Sequence, residues 1–336
     1  MVGLAGALLE LDDVDPVGIA ARHRHPPVVE VPIPVRQLPW PRLVLYESWH
    51  RLRWPRAEGA AGRVDVVHAT GGAVPGHRAP LVVTIHDLAW HHEAAHFTRR
   101  GVAFHRRALA LAFAEAAALV VPSEATRVDV VEAGADPGRV RVIPWGVEQR
   151  AGDPERARRH FDLPDQYLLF VGTIEPRKNL PRLLDAVARL GPSAPPLVMV
   201  GPRGWHEDVD HRLSALPVRP VPLGFVETAR LPDLYAAATV VCYPSLREGF
   251  GLPVLEAMAQ GAPVVTSTGT STEEVAGSAA VVVDPTDVGA IADGIAGLLA
   301  DPERARALGE AGRRRAAEFT WSRCAVSHRD IYREVA

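Results

Sequence analysis

Two glutamates in one glycine-rich stretch are the side chains best suited to chemistry. They are Glu248 and Glu256, within residues 247–267, which read REGFGLPVLEAMAQGAPVVTS. Pro253 is typical of a first helical turn and Gly261 of a helix end, so the pattern predicts a helix between them. The amides at such a helix start attract anions, and the carboxylates can accept hydrogen bonds from hydroxyl groups. A ligand that combines phosphate with hydroxyls, such as a nucleotide sugar, fits this pattern; in the alternative, the glutamates only complement the helix dipole.

A second stretch, residues 170–180 (FVGTIEPRKNL), places two cations after an apolar run. Arg177 and Lys178 follow a predicted buried strand, and Asn179 is a predicted N-cap for a helix over Leu180–Leu190. Adjacent cations at a strand end suit a diphosphate, although an isolated Arg-Lys pair is more often a solvated basic loop. The strand–loop–helix setting, repeated before Pro253, favours the phosphate interpretation.

The elements that must position these residues alternate along the chain. Apolar runs separated by helical patterns predict parallel sheets buried on both faces, and therefore two doubly wound α/β domains with a cleft between them. Ligands of such sheets bind beyond the carboxyl ends of the strands. The polar segment Glu148–Leu163 is predicted to join the domains. The predicted strands are Val64–His68, Leu81–Ile85, Leu119–Val121, Val140–Ile143, Tyr167–Val171, Leu197–Val200, Thr239–Tyr243, Val264–Ser267 and Ala280–Val283.

The beginning of the chain departs from this alternation. Leu4–Leu11 predicts a helix and Val28–Pro32 the next strand, so a first strand and a first Gly-rich loop are expected to be missing.

Composition excludes several classes of protein. The 336 residues predict roughly two domains, and 37 Lys and Arg against 40 Asp and Glu give a net charge of −3, so no nucleic-acid partner is expected. Two cysteines form no disulfide framework, no apolar run approaches the roughly 18 residues of a membrane span, and no signal peptide is evident. These features predict a cytoplasmic location.

The stretch EGFGLPVLEAMAQGAPVVTS resembles the signature of glycosyltransferase family 4, in which seven residues separate two glutamates. FVGTIEPRKNL is similar to the phosphate-binding loop of that family. Further similar stretches are VVTIHD (82–87), VPSEAT (121–126), VIPWGV (142–147) and YPSLREGFG (243–251). The resemblance implies a retaining enzyme with the GT-B fold.

The resemblance also implies roles for individual residues. Glu248 would hold hydroxyls of the donor sugar and Glu256 the ribose, while Arg177 and Lys178 would bind the diphosphate. His86, at the end of a predicted strand, would lie close to the donor sugar and support the reaction. The rest of the implied donor site is the glycine-rich loop and its amides, at Gly249, Phe250, Gly251 and Leu252.

Together these roles imply transfer of a hexose, mannose or glucose, from a nucleoside-diphosphate sugar to an acceptor hydroxyl of a glycan or lipid-linked acceptor, without a metal or other cofactor. The implied domains are an acceptor-side domain over 1–150, a donor-binding domain over 151–318, and a helix over 319–336 that returns to the first domain. The expected absence of the first Gly-rich loop leaves an inactive, truncated nucleotide-sugar-binding protein as an alternative. Thr173 also follows Gly172 where many family members have an arginine.

Two further stretches allow other interpretations. Residues 92–96 spell HEAAH, the pattern of a zinc protease when it lies on a helix, which is a distant alternative. Residues 39–56 mix arginines with three tryptophans. They predict an amphipathic helix packed on the core, with peripheral contact to the inner face of the membrane as the alternative.

Overall fold

The computed structural model describes residues 1–23, 30–94, 97–204 and 209–336. The chain divides into two compact units. Unit 1 contains Met1–Gly146 together with Thr320–Ala336, and unit 2 contains Val147–Phe319. Both ends of the described chain therefore belong to unit 1.

The strands described in unit 1 form two separate parallel sheets. All residues of two strands, Leu81–Thr84 (LVVT) and Ala118–Val121 (ALVV), are buried, which explains why Thr84 is their one polar residue. A two-stranded sheet pairs β1 (Gly18–Arg22) with β2 (Val35–Pro41). A four-stranded sheet has the order β3 (Val67–Ala69), β4 (Leu81–Thr84), β5 (Ala118–Val121) and β6 (Val140–Val142).

The first and last helices of the chain pack on the same sheet of unit 1. Leu4 and Leu8 of the first helix, α1 (Val2–Leu9), share one buried apolar cluster with Ile331 of the last, α15 (Trp321–Val335), and with Val82 and Val120 of the sheet. The helices of unit 1 are α1 (Val2–Leu9), α2 (Arg42–Leu52), α3 (Glu58–Ala61), α4 (Ala89–His92), α5 (Arg99–Glu115), α6 (Glu124–Glu132) and α15 (Trp321–Val335).

Unit 2 contains one six-stranded parallel sheet with the order β12-β11-β10-β7-β8-β9. The chain runs outward from β7 to β9 and then returns to the other side of β7 with β10. The strand order therefore reverses between β7 and β10, which is where ligands of doubly wound sheets bind. The strands are β7 (Leu168–Val171), β8 (Leu197–Val200), β9 (Val221–Gly224), β10 (Val240–Tyr243), β11 (Val264–Ser267) and β12 (Val281–Val283).

The helices of unit 2 cover this sheet. Leu183 and Val187 of α8 and Ile291 and Ile295 of α13 lie in one core cluster with residues of the strands. The helices are α7 (Pro154–Phe161), α8 (Leu180–Arg189), α9 (Asp210–Ala215), α10 (Leu231–Ala237), α11 (Leu252–Ala259), α12 (Ser271–Ala276), α13 (Val288–Ala300) and α14 (Pro302–Ala316).

The predicted fold class, two doubly wound parallel-sheet α/β domains, is confirmed in its architecture, and each predicted strand from Val64 onward is found within a few residues. Three strands were not predicted. β1 (GIAAR), β2 (VRQLPWP) and β9 (VPLG) are rich in glycine, alanine or proline, residues that are depleted in strands. The strand predicted over 28–32 lies partly outside the described residues, and Glu30–Pro32 are not in a strand.

Two segment predictions need correction. Glu148–Leu163, predicted to join the domains, contains α7 and belongs as a whole to unit 2, which begins at Val147. Residues 39–56 are not one helix, because β2 continues to Pro41 and α2 begins only at Arg42. Across the described ranges, none of the helices is both long enough and apolar enough to cross a membrane.

Candidate functional site

The candidate site lies in unit 2, where the loops after β7 and β10 leave the same edge of the sheet. The first loop contains a 3₁₀ turn over Pro176–Lys178, and the second leads into α11. The two loops are joined by a hydrogen bond from the Leu246 amide to the Arg177 carbonyl oxygen (2.8 Å). Neighbouring parallel strands thus bring together side chains that are about seventy residues apart in the chain.

Glu248 is the centre of an ion-pair network between these loops. Its Oε2 lies 2.8 Å from Arg177 Nη1, and its Oε1 lies 2.6 Å from Lys178 Nζ. The carboxylate of Glu175 binds the other side of the guanidinium, with 2.6 Å between Oε1 and Arg177 Nε. The two predicted phosphate-binding cations are therefore paired with two buried carboxylates.

Burial and charge act in opposite directions on this network. Burial alone would raise the pKa of Glu248, but Lys178 and Arg177 outweigh it and lower the pKa below its ordinary value. Burial lowers the pKa of Lys178, and Glu248 opposes that shift. Glu248 is thus a carboxylate at neutral pH, held by two cations that a diphosphate could also bind.

Tyr243, the last residue of β10, completes the network. Its hydroxyl donates to Glu248 Oε1 (3.0 Å) and accepts a hydrogen bond from Lys178 Nζ. Sequence reasoning missed Tyr243 and Glu175. The available signal was their position, since Tyr243 ends the strand before Glu248 and Glu175 lies two residues before Arg177.

The backbone before α11 is held in a conformation that requires glycine. Gly251 has φ +103°, and a Cβ atom there would lie 2.7 Å from Thr272 Cγ2. The preceding ring, Phe250, is buried, with its centroid 6.0 Å from that of Phe319. Gly249 and Leu252 flank this turn, so the predicted glycine-rich loop leads directly into the helix start.

Glu256 lies about one turn inside α11. Its Oε2 accepts a hydrogen bond from the Tyr235 hydroxyl of α10 (2.9 Å). Burial, with a smaller contribution from the charge of Glu148, raises the pKa of Glu256 to about 7. The two glutamates of the motif therefore differ: one is a paired carboxylate and the other is half-protonated near neutral pH.

Asn179 has a different role from the predicted one. It occupies the N-cap position of α8 in the left-handed region (φ +59°), but its side chain does not cap the helix. Instead, Nδ2 donates to the carbonyl oxygens of Pro244 (2.9 Å) and Pro285 (2.6 Å). Asn179 therefore ties the loop after β7 to the loops after β10 and β12.

His86 lies in unit 1, at the loop after β4. Its Nε2 donates to the Thr70 carbonyl oxygen (2.8 Å), and its ring packs edge-on against Trp145 with 5.2 Å between centroids. Its Nδ1 is buried and has no hydrogen-bond partner within the described part of the chain. Burial lowers the pKa of His86, so the imidazole is neutral at pH 7 and its Nδ1 is an acceptor.

The HEAAH pattern does not have the geometry of a zinc protease where it is described. His92 ends α4, Glu93 lies beyond that helix, and Ala95 and His96 lie outside the described residues. His92 Nε2 pairs with Asp129 Oδ1 at 3.0 Å. In the described ranges, histidine, cysteine and acidic side chains form no group of three that could hold a metal ion.

Two family models match the chain. One, described as Glycosyltransferase Family 4, matches residues 2–150, and the other, described as Glycosyl transferases group 1, matches residues 153–315. The chain is 42% identical over 173 residues to O-antigen chain mannosyltransferase B of Escherichia coli, an alignment that covers 50% of this chain and 45% of that protein. It is 33% identical over 355 positions to D-inositol 3-phosphate glycosyltransferase 1 of Catenulispora acidiphila, covering 94% of this chain and 84% of that protein.

Solved structures show the same fold. The crystal structure of Anabaena HepE in complex with UDP and glucose matches with a TM-score of 0.74 at 21% identity, over 90% of this chain and 86% of that one. The fold is therefore of the GT-B class. The chain belongs to glycosyltransferase family 4, as its motifs predict. It spans about half the length of the first curated relatives it matches, 45% and 51%.

Proposed function

We propose that the protein is a retaining glycosyltransferase that moves a hexose from a nucleoside-diphosphate sugar to an acceptor hydroxyl. The observation that carries the proposal is the network of Arg177, Lys178 and Glu248 at the point where the strand order of unit 2 reverses. It offers cations for a diphosphate and, beside them, a carboxylate for sugar hydroxyls. Family membership supports the same activity.

In this proposal the diphosphate takes hydrogen bonds from Arg177 and Lys178 that Glu248 now accepts. Glu248 then accepts hydrogen bonds from hydroxyls of the donor sugar. The start of α11 contributes its dipole and its backbone amides to binding of the donor. The bond between the anomeric carbon and the phosphate oxygen breaks, and the acceptor oxygen attacks from the same face. The leaving phosphate takes the acceptor proton, and the two cations stabilise its growing charge without a divalent metal.

We propose that the Glu256 carboxylate accepts hydrogen bonds from the ribose hydroxyls. For His86 we propose a role in the reaction: its unpartnered Nδ1 accepts a hydrogen bond from a substrate hydroxyl. Mannose or glucose is the proposed hexose, because the names of the relatives include a mannosyltransferase and HepE was crystallised with UDP and glucose. The O-antigen name of one relative supports a glycan or lipid-linked acceptor.

Exposed apolar side chains on and after α2 support peripheral contact with the cytoplasmic face of a membrane. Leu43, Leu52 and Trp54 are more than half exposed, and Arg51 lies on the same segment. Apolar groups beside arginines suit an anionic lipid surface. We expect the protein to co-sediment with phosphatidylglycerol vesicles and Leu52→Glu to weaken this binding. Equal recovery with phosphatidylcholine vesicles would exclude a role of anionic lipid, and no recovery with either lipid would exclude the contact.

Calorimetric titration with GDP-mannose, UDP-glucose and ADP-glucose tests the donor site. We expect one of them to bind, Arg177→Ala to weaken binding at least tenfold, and Arg212→Ala, which removes an arginine paired with Asp185 on the surface, to leave it unchanged. No heat with any donor would refute the proposal.

Turnover separates an enzyme from the non-catalytic alternative. We expect transfer or slow hydrolysis of the bound donor, lost in Glu248→Ala with the fold retained. Binding without any turnover would identify a nucleotide-sugar-binding protein instead.

A further inference from the structure

The directions of the hydrogen bonds around Tyr243 are fixed by chemistry. A lysine ammonium can only donate and a carboxylate can only accept. The hydroxyl between them therefore accepts from Lys178 and gives its own hydrogen to Glu248. Tyr243 is the neutral member of a three-way contact, because Lys178 and Glu248 also bind each other directly.

Tyr243 is held by the sheet rather than by the loops. β10 pairs with β7 on one side and β11 on the other, and the Tyr243 carbonyl oxygen accepts a hydrogen bond from Thr266 Oγ1 (3.1 Å). Its ring is fully buried and stacks on Phe170 with 6.4 Å between centroids. Glu248 and Lys178, in contrast, lie outside the strands, in the loops after β10 and β7, and both bond to the Tyr243 hydroxyl.

We propose that Tyr243 is a positioning residue that holds the Glu248 carboxylate in place for the donor sugar once the diphosphate has engaged Lys178 and Arg177. The proposal rests on the proposed function. A diphosphate draws the hydrogen bonds of both cations away from Glu248, whereas the Tyr243 hydrogen remains on the carboxylate. Tyr243 should therefore affect recognition of the sugar and have little effect on recognition of the nucleoside diphosphate.

The test compares Tyr243→Phe with wild type by calorimetric titration against GDP-mannose, GDP, UDP-glucose and UDP. We expect affinity for the sugar-bearing donor to fall about tenfold, and affinity for the matching nucleoside diphosphate to change by less than about threefold. Tyr167→Phe is the matched control, since Tyr167 is equally buried and its hydroxyl donates to the Leu234 carbonyl oxygen (2.7 Å). It should change neither affinity.

Two further measurements separate positioning from a structural role. The Tyr243→Phe effect should disappear when Glu248 is already Ala, because the hydroxyl acts through that carboxylate. The acidic limb of the kcat/KM profile should move to higher pH in Tyr243→Phe, because the hydroxyl favours the charged carboxylate. Equal losses for sugar-bearing and sugar-free ligands, or no loss, would overturn the inference. If wild type binds none of the four ligands, the proposed function is refuted and the inference with it.

Discussion

At the scale of single residues, the two glutamates of the glycine-rich motif lie in different electrostatic environments. Glu248 is charged because Arg177 and Lys178 compensate for its burial, whereas Glu256 lies beside a neutral hydroxyl, that of Tyr235. The same side-chain type thus supplies a carboxylate that is charged at neutral pH and a group that titrates near neutral pH. This difference gives the motif a testable dependence on pH.

Glu256→Gln should stabilise the protein at pH 8 and have little effect at pH 5. The folded-state pKa of Glu256 is about 7, above its ordinary value of 4.5, so the wild type loses stability as pH rises between these values. Glutamine keeps an acceptor for Tyr235 without the charge, and the gain at pH 8 should be on the order of 1–3 kcal/mol. Urea unfolding at both pH values measures it. The exposed Glu310→Gln is the control, and a gain at pH 5 equal to that at pH 8 would contradict the assignment.

At the scale of elements, the start of α11 depends on one backbone conformation. Gly251 has a positive φ and no room for a side chain beside Thr272. We expect Gly251→Ala to lower donor affinity about tenfold, because the added Cβ atom displaces the loop from Thr272 in the free protein. Restoring the loop on binding then costs the left-handed strain of a non-glycine residue, about 1–2 kcal/mol.

Gly134→Ala is the control for this prediction, because Gly134 has a similar φ of +109° and nothing within 4 Å of a Cβ atom. Titration with the donor that wild type binds gives the measurement. Equal effects of the two substitutions would show that the contact with Thr272 has no part in donor binding.

The elements also show how far sequence reasoning reaches. The central strands β7, β8 and β10 were predicted because burial on both faces leaves a continuous apolar run. The edge strand β9 was missed because it is half-buried and contains Pro222 and Gly224, which are unfavourable in strands. Its sequence alone does not indicate a strand, and β9 is defined by its pairing with β8.

In the candidate site, too, some residues were predictable from the sequence and others were not. Arg177, Lys178 and Glu248 were predicted from residue type and spacing, and the structure brings their charged groups together. The roles of Tyr243 and Asn179 depend on β7 and β10 being neighbours, which no local pattern encodes. In the sequence, Tyr243 looks like an apolar strand residue and Asn179 like a helix cap. Their hydrogen-bonding roles can therefore be recognised only in the folded chain.

At the scale of the whole molecule, the last helix, α15, packs with the first residues of the chain in unit 1. Ile331 of α15 is buried in the cluster that contains Leu4, Val82 and Val120 of unit 1. Ile331→Ala should destabilise unit 1 by about 2–4 kcal/mol, because it removes buried methyl groups and leaves a cavity. Hydrogen exchange should accelerate in β4 and β5 and remain unchanged in β7 and β10.

Val128→Ala, which truncates a half-exposed residue of α6 in unit 1, should leave all four strands unchanged. If Ile331→Ala accelerated exchange equally in β7 and β10, the two units would unfold as one cooperative block, contrary to the division of the chain.

The division of the chain also has a consequence for protein engineering. Unit 2 is one continuous segment of the chain, and its two ends meet, with the Val147 amide donating to the Phe319 carbonyl oxygen at 3.1 Å. Unit 1, in contrast, is assembled from two separate segments, Met1–Gly146 and Thr320–Ala336. An exchange of residues 147–319 between family members therefore needs only two splice points, after Gly146 and after Phe319.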